Sequence, residues 1–262
     1  MLIISGCFTV ANDTRQGGVL SPCLFSRYIR GMLHNIASSR TGCYIGNLPL
    51  NVLAYADDIV LLSPSWRGLQ YLIDSMFVCG LELDMACNDR KTVCMVLNPQ
   101  NRHRVIKSAF PLFKLGSCNI PFVQSFRHLG HIISASLCDN EDIEREIKNT
   151  FVRTNMLIRK FKKCSFYVKT VLFRSFCLGL YDIALWSNYT ATCIGKLRSC
   201  YNKCIKSFLG YSRTFSLTQV LLESGLPSFD TVLHNSACIF RRSWQNCPNT
   251  LVKYFNDIHV SY

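Results

Sequence analysis

The feature that most restricts the fold is a pair of adjacent acids between two apolar runs. Val52-Leu53-Ala54-Tyr55-Ala56 precedes Asp57-Asp58, and Ile59-Val60-Leu61-Leu62 follows. β-Branched and aromatic residues on both sides of short turn formers predict strand, tight turn, strand. Two carboxylates repel each other unless they face solvent or a cation. Aspartate is short, so a turn fixes where its oxygens lie. Mg²⁺ takes oxygen ligands in near-octahedral geometry and is often shared with substrate phosphates. Two readings stay open: the acids simply make the turn, or they are metal ligands at its tip. The apolar flanks favour the second, because a solvent turn rarely needs them. Tyr55 either packs beneath the turn or faces a nucleotide, and composition favours packing.

The rest of the chain is read by the same periodicities. Gly6 to Val10 reads as the end of a strand, and Gln16-Gly17-Gly18-Val19 as a turn. Ser21 is expected to cap a helix that Pro22 opens. Leu24, Phe25, Tyr28, Ile29, Met32, Leu33 and Ile36 continue it at three-to-four spacing. A helix over 68–79, a strand over 91–97 and a short strand or hairpin over 126–133 follow. Asp139 with Asp142 resembles a capping box. Ile143, Ile147, Thr150, Phe151, Met156, Ile158 and Phe161 are expected to line one face of the next helix. Further helices are expected over roughly 166–186 and 190–209. The fold class is α+β in the first half and mainly helical afterwards.

Charge is distributed unevenly. The 262 residues carry a net +13 although only 17% are charged, which argues for a polyanionic partner. Residues 1–100 hold seven basic and seven acidic side chains, whereas residues 101–262 hold 22 and nine. Arg159, Lys160, Lys162, Lys163 and Lys169 suit contacts to a nucleic-acid backbone, which give affinity without reading sequence. The alternative is a solvated helix face. Phe161, Phe166, Tyr167, Tyr201, Phe208 and Tyr211 interleave with these charges, and periodicity puts most of them in a helical core. The composition shifts near residue 98, giving a soft boundary between 99 and 125. Fifteen cysteines, an odd number without any CxxC, suggest reduced thiols and an intracellular protein of the nucleus or cytoplasm, not a secreted one. Cys193, Cys200, Cys204, Cys238 and His234 match no zinc spacing. The most apolar stretch, 171–186, is interrupted by Arg174 and Asp182, so no membrane partner is expected.

Two motifs make the reading specific. Tyr55-Ala56-Asp57-Asp58 resembles the Y-x-D-D box of reverse transcriptases. Upstream, Arg15-Gln16-Gly17-Gly18-Val19-Leu20-Ser21-Pro22-Cys23-Leu24-Phe25 resembles the R-Q-G-x-x-L-S-P-x-L-F box that precedes it in retroelement enzymes. The pair, in that order, is most similar to the non-LTR (LINE-like) retrotransposon reverse transcriptases. Arg90 to Met95 resembles the lysine-bearing strand after the catalytic hairpin. Phe126-Arg127-His128-Leu129-Gly130 resembles the F-x-Y-L-G primer-grip box, with His128 in the tyrosine place. Leu209-Gly210 through Glu223 to Ser228 resembles the family's helical tail.

The resemblance implies an incomplete polymerase palm of the right-hand fold, followed by a mainly helical thumb and a C-terminal helical extension. Its segments are a partial palm over 1–98, the end of the palm with a primer-grip-like hairpin over 99–135, and a basic thumb with extension over 136–262. It implies nucleotidyl transfer to a primer 3′-hydroxyl. Asp57 and Asp58 would be catalytic metal ligands, and Lys91 would meet the pyrophosphate. Arg15, Gln16, Gly17 and Tyr55 would lie near nucleotide and template. His128, Leu129 and Gly130 would form the primer grip. The implied cofactor is Mg²⁺, with Mn²⁺ as a substitute. The implied partners are deoxynucleotides, an RNA template and DNA primer, or an RNA–DNA duplex.

The family also brings a metal-binding aspartate from a segment like F-x-D-x-x-x-A-F-D, well before the R-Q-G box. The sole acid ahead of Arg15 is Asp13, which lacks that context. The expectation is therefore a polymerase fragment that is inactive alone. The alternative is a non-catalytic nucleic-acid-binding remnant.

Overall fold

A computed structural model describes residues 18–97 and 111–259. The expected strand at Gly6 to Val10, and Arg15, Gln16 and Gly17, lie outside the described residues. The described chain divides into two compact units. One holds residues 18–94 and 111–123, the other 95–97 and 124–259.

The first unit begins with α1 (Ser21–Tyr28) and α2 (Arg30–Ser38), followed by β1 (Tyr44–Ile45) and β2 (Leu48–Pro49). Then come β3 (Val52–Tyr55), β4 (Asp58–Leu61), α3 (Trp66–Glu82), β5 (Phe113–Leu115) and β6 (Cys118–Ile120). The single helix expected after Ser21 is divided at Ile29, although the Ile29 amide still bonds the Phe25 carbonyl at 3.0 Å. Ser21 is not its cap. It lies inside the helix, Leu20 occupies the cap position without a side-chain bond, and Pro22 falls in the first turn. There its missing N–H costs nothing. Ile29, Met32, Ile36 and Leu72 form one core, against which Val52, Ile59 and Leu61 pack. Ile73, Cys94, Phe113, Leu115 and Ile120 form a second. Neighbouring residues of α3, Leu72 and Ile73, thus serve different cores.

The expected strand over 91–97 does not form. Lys91 is held in a turn, its amide donating to the carbonyl and Oδ1 of Asn88 at 3.3 and 3.1 Å. Within that segment Cys94 alone pairs in sheet fashion, as an isolated parallel bridge to Phe122. Without a ladder on either side the segment has nothing to extend against.

The second unit opens with β7 (Ser125–His128) and β8 (His131–Ser134), so this hairpin groups with the helices that follow. Those are α4 (Asn140–Phe161), α5 (Phe166–Cys177), α6 (Ala191–Leu209), α7 (Leu217–Ser224), α8 (Phe229–Gln245) and α9 (Thr250–His259). Ile143, Leu157, Phe173, Leu197, Tyr201 and Phe208 are among its buried core residues. Phe151 and Met156, expected on the apolar face of α4, are instead largely exposed, whereas Ile143 and Thr150 are buried. Phe166 and Tyr167 are likewise exposed, while Tyr201 and Phe208 are core. The helix expected over 166–186 stops at Cys177. The chain from 178 to 190 is irregular, and Asp182 takes a left-handed φ of +67°.

The architecture is therefore α+β with helices dominant. Each strand of the four hairpins pairs only with its hairpin partner among the described residues. No helix there is long and apolar enough to cross a membrane.

Candidate functional site

The acidic hairpin forms as its sequence requires. Val52 pairs with Leu61, Leu53 with Val60, Ala54 with Ile59 and Tyr55 with Asp58, leaving Ala56 and Asp57 as the turn. Ala56 takes a φ of +53°, the left-handed conformation such short loops need. Strand alternation sends Val52, Ile59 and Leu61 toward the core. Tyr55 and Asp58, directly opposed, share the other face. Asp57 and Asp58 are exposed, and Tyr55 is 66% exposed. The expected packing of Tyr55 under the turn does not occur, because its side of the hairpin carries no second layer among the described residues.

Asn51, which belongs to neither motif, fixes the base of this hairpin. It is 1% exposed. Its Nδ2 donates to the Ile36 carbonyl at 2.7 Å and the Thr41 carbonyl at 3.0 Å. Its backbone carbonyl accepts from Leu62 N at 2.9 Å. The end of α2 is thereby tied to the start of β3. Gly42 lies against it with φ +115°, and a Cβ there would come within 2.3 Å of Asn51 Cβ. The signal for Asn51 in the sequence is one amide residue between apolar Leu50 and Val52, where a polar group needs a reason.

The second hairpin also has a two-residue turn. Leu129 and Gly130 both have positive φ, +49° and +92°, the type I′ pattern. His128 is half-buried and tilted against Phe126 at 6.0 Å between ring centres. Tyr181 closes over the tip, where its hydroxyl donates to the Leu129 carbonyl at 3.0 Å. Any Cβ on Gly130 would stand 3.0 Å from Tyr181 Cε1. Lys91 is exposed. Arg159, Lys160, Lys162 and Lys163 are exposed around the end of α4, and Lys169 is half-buried on α5. Arg159 and Lys160 complement the carbonyl end of α4.

The capping box expected from Asp139 and Asp142 is not made. Asp139 Oδ2 accepts from the amides of Ser187 and Asn188, each at 2.8 Å. Asp142 is fully buried and accepts from Trp186 Nε1 at 2.8 Å and the Ile132 amide at 2.9 Å. Arg145 holds both its oxygens, at 2.6 and 3.1 Å. Burial pushes the Asp142 carboxyl up, but these donors and His131 outweigh it and hold the group below the ordinary carboxylate range. At Asp182 burial prevails and holds the carboxyl above that range. Asp182 is the one acid in the apolar stretch 171–186, which is the signal that exposes such a residue.

Fourteen cysteines are described and none is paired in a disulfide. The residues named as unsuited to zinc form no metal-sized group among the described residues.

A family model described as "Reverse transcriptase (RNA-dependent DNA polymerase)" matches residues 5–173, more than half of the chain. The chain belongs to the reverse transcriptase family. It is 30% identical over 130 residues to the "Retrovirus-related Pol polyprotein from type-2 retrotransposable element R2DM" of Drosophila melanogaster. That alignment covers 47% of this chain and 12% of the relative. It is also 30% identical over 122 residues to the "Retrovirus-related Pol polyprotein from type-1 retrotransposable element R2" of Nasonia vitripennis, covering 46% and 11% respectively. The likeness is to non-LTR retrotransposon reverse transcriptases, and the matched stretches are a small part of those relatives' length. Both hairpins, α4 and most of α5 fall inside the family match, while α6 to α9 lie beyond residue 173.

Reverse transcriptases use divalent metal ions. The donor set at the first hairpin fits that requirement in kind. Asp57 and Asp58 are hard oxygen ligands, are exposed, and have no ion-pair partner among the described residues.

Proposed function

We propose that this chain carries the catalytic hairpin of an RNA-directed DNA polymerase encoded by a non-LTR retrotransposon. The observation that carries this reading is the exposed Asp57-Asp58 pair on a two-residue turn, inside the family match. The reaction joins a primer 3′-hydroxyl to the α-phosphorus of a deoxynucleotide and releases pyrophosphate. Asp57 and Asp58 would hold Mg²⁺, which supplies charge stabilisation at the phosphoryl oxygens and acidifies the attacking hydroxyl.

The chain's own residues do the positioning. Tyr55, beside Asp58 on the open face, offers a flat ring to nucleotide or template. Arg15, Gln16 and Gly17 would contact nucleotide and template. Lys91, exposed on its turn, is free to meet the leaving pyrophosphate. His128, Leu129 and Gly130 would hold the primer, with Tyr181 bracing the turn. Arg159, Lys160, Lys162, Lys163 and Lys169 would follow the duplex backbone in a thumb. The palm, thumb and extension limits given above belong to this proposal.

Two adjacent carboxylates on one hairpin supply only part of a site built from two strands. We therefore expect extension to require the upstream aspartate segment. Primer extension on poly(rA)/oligo(dT) with Mg²⁺ tests this. The 262 residues alone are expected to give background. Joined to the upstream segment of a relative, they are expected to extend the primer, and Asp57→Asn to stop it. Extension indifferent to Asp57→Asn would overturn the assignment.

A second reading, a nucleic-acid-binding remnant, is favoured by the basic residues around the end of α4, which have no ion-pair partner among the described residues. It requires salt-sensitive duplex binding that is unchanged in Asp57→Asn, with no extension even when the upstream segment is present.

A further inference from the structure

In the second unit, three side chains converge from elements far apart in sequence: His131 on β8, Asp142 on α4 and Asp182 in the irregular segment after α5. Their ligand atoms all lie within 4.8 Å of one another. His131 Nδ1 stands 3.2 Å from Asp142 Oδ2 and 3.3 Å from Asp182 Oδ2. We propose that His131, Asp142 and Asp182 form a divalent transition-metal site, suited to Zn²⁺ and separate from the acidic hairpin. The proposal is independent of the polymerase reading.

Unpartnered atoms carry the argument. His131 Nδ1 and Asp182 Oδ2 are both buried and neither makes a well-formed hydrogen bond, although they face each other at 3.3 Å in a contact that is an ion pair only when the imidazole is protonated. The Asp182 side chain is only 9% exposed. Buried polar atoms without partners are uncommon, and an ion is one of the things that explains them.

Geometry agrees. Zinc bonds to nitrogen and oxygen are about 2.0–2.1 Å, so a tetrahedron of such bonds has edges of about 3.3–3.4 Å. The two separations at Nδ1 lie within about 0.2 Å of those edges. One imidazole and two carboxylates leave the fourth position for water, as in open zinc sites. The mixed nitrogen and oxygen donors favour Zn²⁺ or Co²⁺ over Mg²⁺, which prefers oxygen alone.

The surroundings are those of a supported site. Trp186 Nε1 and Arg145 orient Asp142. Asp139 Oδ1 stands 3.9 Å from His131 Nε2, beyond direct hydrogen-bonding distance, on the side of the ring away from the metal. Asp182 reaches the cluster through its left-handed backbone. Arg145 is the competitor. Its Nη2 lies 3.1 Å from Asp142 Oδ2 and 3.7 Å from Asp182 Oδ2. Binding needs Nη2 to yield that oxygen, which Trp186 Nε1 also holds at 2.8 Å, while Nε keeps Oδ1 at 2.6 Å. The site is therefore expected to bind its ion reversibly and more weakly than one without a competing cation.

The test titrates the metal-stripped 262-residue chain with Co²⁺ in a non-thiol reductant. The expected result is one equivalent with the visible bands of a four-coordinate site and no thiolate charge-transfer band, displaced by Zn²⁺. Asp182→Asn is expected to weaken that equivalent at least tenfold, since asparagine keeps the left-handed backbone but loses the charge. Asp57→Asn is expected to leave it unchanged. Zn²⁺ should raise the melting temperature of the wild type and not of Asp182→Asn. If Asp182→Asn loses its circular dichroism, His131→Asn takes its place. Absence of the equivalent, equal affinity in the variant, or a thiolate band in its place would each overturn the proposal.

Discussion

The Tyr181 hydroxyl reaches across 52 positions to the carbonyl of Leu129. It fastens the turn of the β7–β8 hairpin to the irregular segment after α5. A leucine in the left-handed region costs roughly 1–2 kcal/mol, so the turn needs external support. Tyr181→Phe is expected to destabilise the chain by about 1 kcal/mol, the worth of one hydrogen bond. Gly130→Ala is expected to cost more, because it adds backbone strain to a clash with the ring. Urea melts of the two variants check the order, and a smaller effect in Gly130→Ala would contradict the bracing role.

Asn51 is expected to matter more than its size suggests. Asn51→Ala removes the donor for two backbone carbonyls at the edge of a core, a cost of about 1–3 kcal/mol. Gly42→Ala should be at least as damaging, since its Cβ would overlap that of Asn51. Thermal denaturation measures both, and an unchanged midpoint in either would remove Asn51 as the anchor of the acidic hairpin.

Asp57→Asn and Asp58→Asn are expected to leave stability within about 0.5 kcal/mol, as at exposed positions generally. In the extension-competent protein, Asp57→Asn is expected to lower primer extension by about a hundredfold or more, as removal of a charge-stabilising catalytic ligand does. Folding and activity are thus expected to separate here, unlike at Asn51. A variant that melts early would show a structural role for the pair.

Replacing Lys162 and Lys163 by glutamine is expected to weaken duplex binding uniformly across sequences. The slope of log affinity against log salt should fall by about one for each phosphate that the variant no longer neutralises. An unchanged slope would return these residues to the role of a solvated helix end.

Tyr211 donates to Glu223 Oε2 at 2.5 Å, and this carboxylate pushes the phenol up to about 12. Unfolded tyrosine titrates near about 10. The contribution of this pair to stability is therefore complete below about pH 10 and is lost as pH rises through about 12. Tyrosinate absorbance against pH should show one fewer late-titrating phenol in Glu223→Gln. Superimposable curves would show that the bond does not control the phenol.

The acidic hairpin is legible from local chemistry alone, because apolar runs flank Asp57-Asp58 on both sides, whereas residues 126–133 read only as a short strand or hairpin. The helices α3, α4 and α6 are legible from their periodicity. The strand expected at 91–97 fails because a ladder needs neighbours that local pattern does not supply. The packing expected of Tyr55 fails for a similar reason: alternation gives the face, but not whether anything covers it.

The sequence by itself determined the family motifs, the turn at Asp57 and the basic second half, because each rests on residues close together in the chain. Only the tertiary structure decided what Asp142 does. Three residues after Asp139 it has the spacing of a cap partner, but Trp186 from 44 positions on, the Ile132 amide and Arg145 all donate to it. A buried carboxylate is settled by whichever donors surround it, and folding brings those donors from parts of the chain that local spacing cannot connect.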